Sequence, residues 1–430
     1  MADIVIRPAK KIRGEITPPP DKSISHRAVM IGSIAKGTSR IKNLLLGEDI
    51  RSTIGAFRSL GVEIDELGDN SVVVSGKGPC GLKKPGQELY LGNSGTTMRL
   101  LMGILAGQPF ECTLTGDESL SRRPMKRVTK PLRMMGAEIT GPEDANYAPV
   151  KINGGPLRAV EYETQVASAQ VKSAILLAGL YAKGETCVSE PHQTRDHTER
   201  MLKVFGADVK SKGRSASVEG PADLCARDVI VPGDISSASF FIVAAAILGG
   251  SSLRLKSVGL NPTRTGVLDI LGRMGANIKI EDKKEGVFEP AGDIVVSSSS
   301  LRAAEISGSD IVRSIDELPI IMVAACFAYG TTLIKGASEL RVKETDRIDS
   351  MVSNLKKMGA DIQADGDDVI IKGPNKLTGA GLSSYKDHRT AMSLAIAGLG
   401  AKGETSIDHP EYVAISFPEF FTLLNGLTGK

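Results

Sequence analysis

Met358-Gly-Ala-Asp-Ile362 closes an apolar helical stretch and opens a short β-rich run, and the chain repeats it. Copies stand at Leu60-Gly-Val-Glu-Ile64, Met135-Gly-Ala-Glu-Ile139, Phe205-Gly-Ala-Asp-Val209 and Met274-Gly-Ala-Asn-Ile278, with a worn sixth read at Asn425-Gly426. The phrase returns roughly every 70 residues, and self-similarity of this kind decides architecture before any single residue does. A glycine after an apolar helix suits a left-handed C-terminal turn. The Ala-Glu-Ile-Thr or Ala-Asp-Ile-Gln that follows alternates with period two, as a half-buried strand should. A second echo, Ala35-Lys-Gly-Thr-Ser-Arg-Ile41, Ala182-Lys-Gly-Glu-Thr-Cys-Val188 and Ala401-Lys-Gly-Glu-Thr-Ser-Ile407, runs beside the first, with weaker versions at Gly107, Gly250 and Gly330.

Each unit therefore reads as strand, helix, strand, helix, strand. Repeated α/β units need neighbours to cover their apolar faces, so three close one core and three a second. The length of 430 residues agrees, because single cores stop growing near ~250–300 residues. Pro18-Pro-Pro20 and Pro232-Gly-Asp-Ile-Ser236 mark the crossings. They set one domain at 21–235 and the other at 236–430 plus 1–20, the first strand joining the C-terminal half.

Composition narrows the function. A hydrophobic share of 41% and a charged share of 24% are ordinary for a globular protein, and no run approaches the ~18 apolar residues of a membrane helix. A net charge of only +3 and the absence of Trp argue against a nucleic-acid surface, so anion binding has to be local. The five cysteines are scattered without a Cys-x-x-Cys pair; reduced, mostly buried thiols are expected. Met1-Ala-Asp-Ile-Val-Ile-Arg7 reads as a strand and not as a signal or transit peptide, which places the protein in the cytoplasm. No Cys, His and carboxylate spacing points to a metal.

The chemistry lies in segments that break the repeat. Asp21-Lys-Ser-Ile-Ser-His-Arg27 opens a helix after three prolines, and its N–H groups with Lys22, Ser23 and Arg27 make either an anion site or an ordinary capped start. Leu91-Gly-Asn-Ser-Gly-Thr-Thr-Met-Arg99 is a Gly-rich turn where Gly92 and Gly95 permit close backbone approach and Asn93, Thr96 and Arg99 offer donors; it lacks the Gly-Lys-Ser/Thr of a Walker loop. Arg122-Arg-Pro124 is a solvated pair or an anion clamp. Ala167-Ser-Ala-Gln-Val-Lys-Ser173 sets Ser168, Gln170 and Lys172 in an apolar run, and Arg195 stands in a charged helix start. Asp316 in Ser314-Ile-Asp-Glu-Leu-Pro319 is a helix cap or a general base. Arg341-Val-Lys-Glu-Thr-Asp-Arg347 places Lys343, Glu344 and Arg347 within one turn of an expected helix, and Asp387-His-Arg389 opens another.

Taken together and in this order, these segments closely resemble the 5-enolpyruvylshikimate-3-phosphate synthase family over essentially the whole chain. The resemblance implies two inverted α/β barrel (prism) domains, each of three βαβαββ repeats, with the active site in the cleft between them. It implies transfer of the enolpyruvyl group of phosphoenolpyruvate to the 5-hydroxyl of shikimate 3-phosphate, on the route to chorismate and the aromatic amino acids, with no metal and no organic cofactor. It assigns shikimate 3-phosphate to Lys22, Ser23, Arg27, Ser168, Ala169, Gln170, Arg195, Asp316 and Lys343, and phosphoenolpyruvate to Lys22, Asn93, Gly95, Arg99, Arg123, Gln170, Arg347 and Arg389. Asp316, Glu344 and Lys22 become the proton-transfer groups. A monomer is expected, with small-molecule substrates and no nucleic-acid or membrane partner.

Two departures stand out. Many members have Pro where this chain has Leu100, and many carry Lys just before a late Thr-Phe-Pro where Ile415-Ser-Phe-Pro418 stands here. With Ser168-Ala-Gln-Val-Lys-Ser173 and Thr194-Arg-Asp-His-Thr-Glu199, these resemble the second class of the family, in which tolerance of glyphosate is common; Gly95, being small, argues that glyphosate is not sterically excluded. Two rivals remain. The enolpyruvyl transferase acting on UDP-N-acetylglucosamine resembles a Lys-Asn start and often a loop Cys, where this chain has Lys22-Ser23 and only Cys112 ahead of the loop. A non-catalytic polyanion binder would need the arginines but not Asp316 and Glu344.

Overall fold

The computed structural model describes residues 3–429; Met1 and Ala2 of the expected first strand, and Lys430, lie outside them. The chain divides into two compact units. The first is Pro20–Val231 with Val287–Glu289, and the second is the segment up to Pro19 with Pro232–Gly286 and everything from Pro290 onward.

One pattern, a short strand, a buried helix, a long strand, an outer helix and a β-hairpin, occurs three times in the first unit and twice in the second, whose third copy lacks the hairpin. That is one strand more than the strand-helix-strand-helix-strand read from the repeats. The missed strand is the second of the hairpin, seen in Ser71–Lys77, Val150–Asn153, Ser215–Gly220, Ala291–Ser297 and Asp368–Gly373.

In the first unit Lys36–Lys42 pairs parallel with Val229–Ile230 on one side and antiparallel with Ser71–Lys77 on the other, and Glu63–Leu67 completes the sheet. In the second unit Arg13–Ile16 runs parallel to Ser252–Gly259, which pairs antiparallel with Ala291–Ser297. The last sheet is different. There Thr405–Ile407 pairs parallel with Gly381–Leu382 and antiparallel with Ile4–Ile6, so an N-terminal strand stands where the other sheets have a hairpin.

The repeated glycines make the turn between outer helix and hairpin. Gly61, Gly136, Gly206, Gly275 and Gly359 all have φ between +86° and +114°, a region costly for any side chain with a Cβ. Gly426 does not belong with them: it lies inside the helix Phe420–Thr428, which ends at Gly429. Leu427 continues the apolar spacing of Phe420 and Leu424 onto the core, and this keeps the chain helical past Asn425.

Each unit has its own apolar core built around three helices that are buried on nearly every side. They are Lys22–Ile34, Gly95–Ala106 and Ala169–Gly179 in the first unit, and Ile235–Ile247, Leu318–Cys326 and His388–Leu399 in the second. A helix apolar all round must be interior. The outer helices Glu48–Ser59, Lys126–Met135, His197–Val204, Gly266–Arg273 and Arg347–Lys357 carry one apolar face each. Four of the central helices are capped at their starts, where Asp21, Ser94, Asp234 and Asp387 accept from the helix N–H groups.

Cysteine burial departs from expectation. Cys112 and Cys326 are buried, and loss of solvent pushes their thiols up to about 12, but Cys80 and Cys225 are exposed and Cys187 is half-buried. All five are free. No helix among the described residues is long and apolar enough to cross a membrane.

Candidate active site

The first turns of the three central helices of the first unit carry most of the residues singled out in residues 22–195. Asp21 accepts from Ile24 N at 2.9 Å and starts the first helix directly after Pro20. Lys22 pairs with Asp49 on the outer helix, Nζ to Oδ2 2.5 Å, with only a small part of either side chain exposed. Arg27, one turn on and buried, donates to Thr198 Oγ1 at 2.7 Å, Ser23 O at 2.9 Å and Ser173 Oγ at 2.8 Å. Two hydroxyls and a carbonyl orient this guanidinium.

The Gly-rich turn brings two more guanidiniums to the start of the second helix. Arg99 donates to Gln170 Oε1 at 2.7 Å and to Pro124 O at 3.1 Å, and Gln170 Nε2 donates to Thr96 Oγ1 at 2.9 Å. Arg123 donates to Asn93 Oδ1 and to Ser119 Oγ, while Asn93 Nδ2 donates to Asp117 Oδ2 at 2.8 Å. Gly95 lies between them: a Cβ there would meet Arg99 Nη1 at 3.1 Å and Arg123 Nη1 at 3.2 Å. The structure thus joins Asn93, Gly95, Arg99, Arg123 and Gln170 into one cluster. Arg122 instead pairs with Glu118 on the exposed surface.

Ser168 and Ala169 form the start of the third helix, half-buried, and Arg195 is half-buried just ahead of the helix His197–Val204. Lys172 is interior, with Glu190 and Glu199 each 2.8 Å away. Burial would lower the ammonium's pKa, but Glu199 and Glu190 more than offset it and the pKa is raised. One cation faces two carboxylates, and burial pushes the Glu199 carboxyl up against the pull of Lys172. Asp196, His197 and Glu289 bring three ligand-type atoms within 4.8 Å of one another. His197 Nδ1 is 2.6 Å from Glu289 Oε1, and Asp196 Oδ2 accepts from Arg200 Nε at 2.8 Å.

The second unit gathers Asp316, Lys343, Glu344, Arg347 and Arg389 around one guanidinium. Arg347 is buried and donates to Asp387 Oδ2 at 3.0 Å, Glu344 Oε2 at 2.6 Å and Asp316 Oδ1 at 3.4 Å. Burial alone would lower its pKa; Asp387, Glu344 and Asp316 together raise it instead, so it is a permanent cation. Asp316 Oδ1 lies 3.6 Å from Lys343 Nζ, its Oδ2 lies 3.8 Å from Arg389 Nη2, and its backbone oxygen accepts from Arg389 Nη1 at 3.1 Å. Three cations converge on one carboxylate at the head of the helix Leu318–Cys326.

The expected single turn holding Lys343, Glu344 and Arg347 is not formed. Residues 341–346 are a turn, and the helix Arg347–Lys357 begins only where Asp346 caps it, accepting from Ile348 N at 3.0 Å and Asp349 N at 3.1 Å. An aspartate that captures the free N–H groups fixes the helix start, and Lys343 and Glu344 reach Asp316 and Arg347 from an irregular segment. The late position that carries Lys in many relatives is the half-buried Ile415, at the end of the 3-10 helix Pro410–Ile415.

Sequence reasoning missed several partners. Asp387 was quoted only as part of Asp387-His-Arg389, yet it both caps its helix, accepting from Arg389 N at 2.8 Å, and holds Arg347. Asp49 left no signal beyond being an acid in a helix first turn. A third buried group, Arg264 with Asp234, Ser236 and Glu317, joins two central-helix starts of the second unit: Arg264 Nη2 donates to Asp234 Oδ1 at 3.1 Å and Ser236 Oγ at 2.6 Å.

A family model for EPSP synthase (3-phosphoshikimate 1-carboxyvinyltransferase) matches residues 6–424. The chain belongs to the EPSP synthase family. Among its relatives, the 3-phosphoshikimate 1-carboxyvinyltransferase of Bacillus cytotoxicus is 54% identical over 422 residues, covering 98% of this chain and 99% of that one. The enzyme of the same name from Geobacillus thermodenitrificans is 55% identical over 418 residues, 97% of this chain and 96% of its own. A solved EPSP synthase structure from Acinetobacter baumannii superposes with a TM-score of 0.89 at 46% identity, over 99% of this chain and 98% of that chain. The fold is that of EPSP synthase.

Proposed function

We propose that this chain transfers the enolpyruvyl group of phosphoenolpyruvate to the 5-hydroxyl of shikimate 3-phosphate, giving 5-enolpyruvylshikimate 3-phosphate and phosphate. Membership of the family supports the reaction. Both substrates carry a phosphate and a carboxylate, so their joint binding needs many cations. Lys22, Ser23, Arg27, Ser168, the Ala169 backbone, Gln170, Arg195, Asp316 and Lys343 act on shikimate 3-phosphate. Asn93, Gly95, Arg99, Arg123, Arg347 and Arg389, with Lys22 and Gln170, act on phosphoenolpyruvate. Guanidinium forks suit both anions.

The chemistry is addition and then elimination. The 5-oxygen bonds to C2 of phosphoenolpyruvate while its own proton leaves and the methylene carbon gains one. The resulting methyl then returns a proton as the C2–O bond to phosphate breaks. Asp316 takes the hydroxyl proton; Lys22 and Glu344 handle the carbon and phosphate protons.

One observation carries the enzymatic reading over simple polyanion binding. Asp316 presents a carboxylate among Lys343, Arg347 and Arg389, where a pure anion receptor would lose affinity by repulsion. Phosphate release decides the matter. It is expected with phosphoenolpyruvate and shikimate 3-phosphate together; release only with UDP-N-acetylglucosamine would assign the other enolpyruvyl transferase, and none with either sugar would leave a binding protein. The chain is proposed to act as a monomer in the cytoplasm, which sedimentation and cell fractionation test.

A further inference from the structure

Beneath the first unit's cluster runs a line of polar groups that the proposed reaction does not use. His26, Thr53, Ser94 and Thr97 are all fully buried. His26 Nδ1 lies 2.7 Å from Thr53 Oγ1, Thr53 Oγ1 lies 2.7 Å from Thr97 Oγ1, and Thr97 Oγ1 lies 2.6 Å from Ser94 Oγ. The line starts on the helix of Lys22 and ends at the cap of the Gly95–Ala106 helix, where Ser94 Oγ also accepts from Thr97 N at 3.3 Å.

One placement of hydrogens satisfies every contact. Thr53 Oγ1 is 3.2 Å from Asp49 O, and a carbonyl only accepts, so the single Thr53 hydrogen goes there. Thr53 then accepts from both His26 Nδ1 and the Thr97 hydroxyl, and Thr97 accepts from Ser94. This requires the Nδ1–H form of a neutral imidazole. It leaves Nε2 as a bare lone pair, and Nε2 is the His26 atom that finds no hydrogen-bond partner. A bare acceptor is tolerated in a core more readily than a bare N–H. Burial, with Lys22 and Arg27 nearby, holds the imidazole's pKa well below its usual value, in keeping with that form.

Asp49 closes the circuit, because its carboxylate holds Lys22 at 2.5 Å while its carbonyl anchors Thr53. We propose that His26 is a positioning residue that locks the phosphoenolpyruvate loop, Asn93 to Arg99, in register with Lys22 through Thr53, Thr97 and Ser94. This rests on the assignment of that loop and Lys22 to phosphoenolpyruvate.

The test combines kinetics with a measurement that needs no substrate. His26→Leu removes the donor, and the KM for phosphoenolpyruvate rises about tenfold, the effect of leaving a buried hydrogen-bonded group unpaired. The KM for shikimate 3-phosphate and kcat change by less than about threefold. His26→Asn, with an amide N–H near the Nδ1 position, restores the lower KM. Thr97→Val, which keeps the shape and loses the hydroxyl, raises it as His26→Leu does, and the double variant is no worse than either single one. Unchanged KM in both His26→Leu and Thr97→Val, or full additivity, overturns the positioning role. Independently, the 15N spectrum of the whole protein, with the His26 signal identified by its loss in His26→Asn, shows Nδ1 protonated and Nε2 bare at neutral pH. The opposite tautomer or an imidazolium overturns the network. A wild type that releases no phosphate would refute the reaction and leave the spectrum to decide the network alone.

Discussion

The two units share a scaffold and orient their guanidiniums with different groups. In the first, hydroxyl, amide and carbonyl oxygens orient them: Arg27 donates to Thr198, Ser173 and a backbone carbonyl, Arg99 to Gln170 and the Pro124 carbonyl, Arg123 to Asn93 and Ser119. In the second, they rest on carboxylates: Arg347 on Asp387, Glu344 and Asp316, Arg264 on Asp234 and Glu317. A neutral acceptor fixes geometry and leaves the charge for an incoming anion. A carboxylate cancels the charge but supplies a proton acceptor. We propose that both units bring cations to the substrates' anionic groups, with Asp316 and Glu344 of the second and Lys22 of the first handling the protons.

The strongest way to break this comparison is Asp316→Ala. Its turnover should fall by roughly 10²–10⁴, the usual worth of a positioned acid or base, as read by steady-state phosphate release; a near-normal rate would remove the proton-handling role. Next comes stability. Arg347→Ala strands Asp387 and Glu344 and should cost about 3–5 kcal/mol in denaturant unfolding, while Arg99→Ala removes the hydrogen bonds to Gln170 and the Pro124 carbonyl and should cost about 1–2 kcal/mol. Equal losses would erase the distinction between the units.

Acid sharpens the contrast from the side of the first unit. Burial holds the His26 imidazole well below its ordinary pKa of about 6.5, so below pH 6.5 the unfolded chain takes a proton that the folded chain refuses. Stability then falls with falling pH, by up to about 1.4 kcal/mol per unit for this one group, and is unaffected by it above pH 6.5. Unfolding at pH 7.5 and 5.5 should show this part of the slope missing in His26→Asn. The smallest effect is steric. Gly95→Ala places a methyl 3.1 and 3.2 Å from the two guanidiniums, and a rise of a few-fold in the KM for phosphoenolpyruvate is expected as they shift by tenths of an ångström.

Legibility in the sequence followed distance along the chain. The glycines at 61, 136, 206, 275 and 359 announced their left-handed turns because the reason is local, a φ that disfavours a Cβ. Gly426 misled because the surrounding Phe420, Leu424 and Leu427 spacing, a tertiary matter, outweighed the dipeptide. The cations of the candidate site were visible as chemistry out of place in a repeat. Their partners were not: Lys22 meets Asp49, Arg27 meets Thr198, and Arg347 meets Asp387, each joined only by packing. Lys343 and Glu344 looked helical because a charged run fits that period, and a single Asp346 cap moved the helix start past them.

The pairing of Ile4–Ile6 with Thr405–Ile407, and of Arg13–Ile16 with Ser252–Gly259, has a bearing on how the protein is made. Synthesis runs towards the C-terminus at about 5–20 residues per second, so Ile4–Ile6 leaves the ribosome long before its neighbour Thr405–Ile407. The first unit, by contrast, has its closing strand Val229–Ile230 at hand once the chain has passed that point. The nascent protein thus carries an orphan β-segment alongside a finished half until Thr405–Ile407 emerges to pair with it.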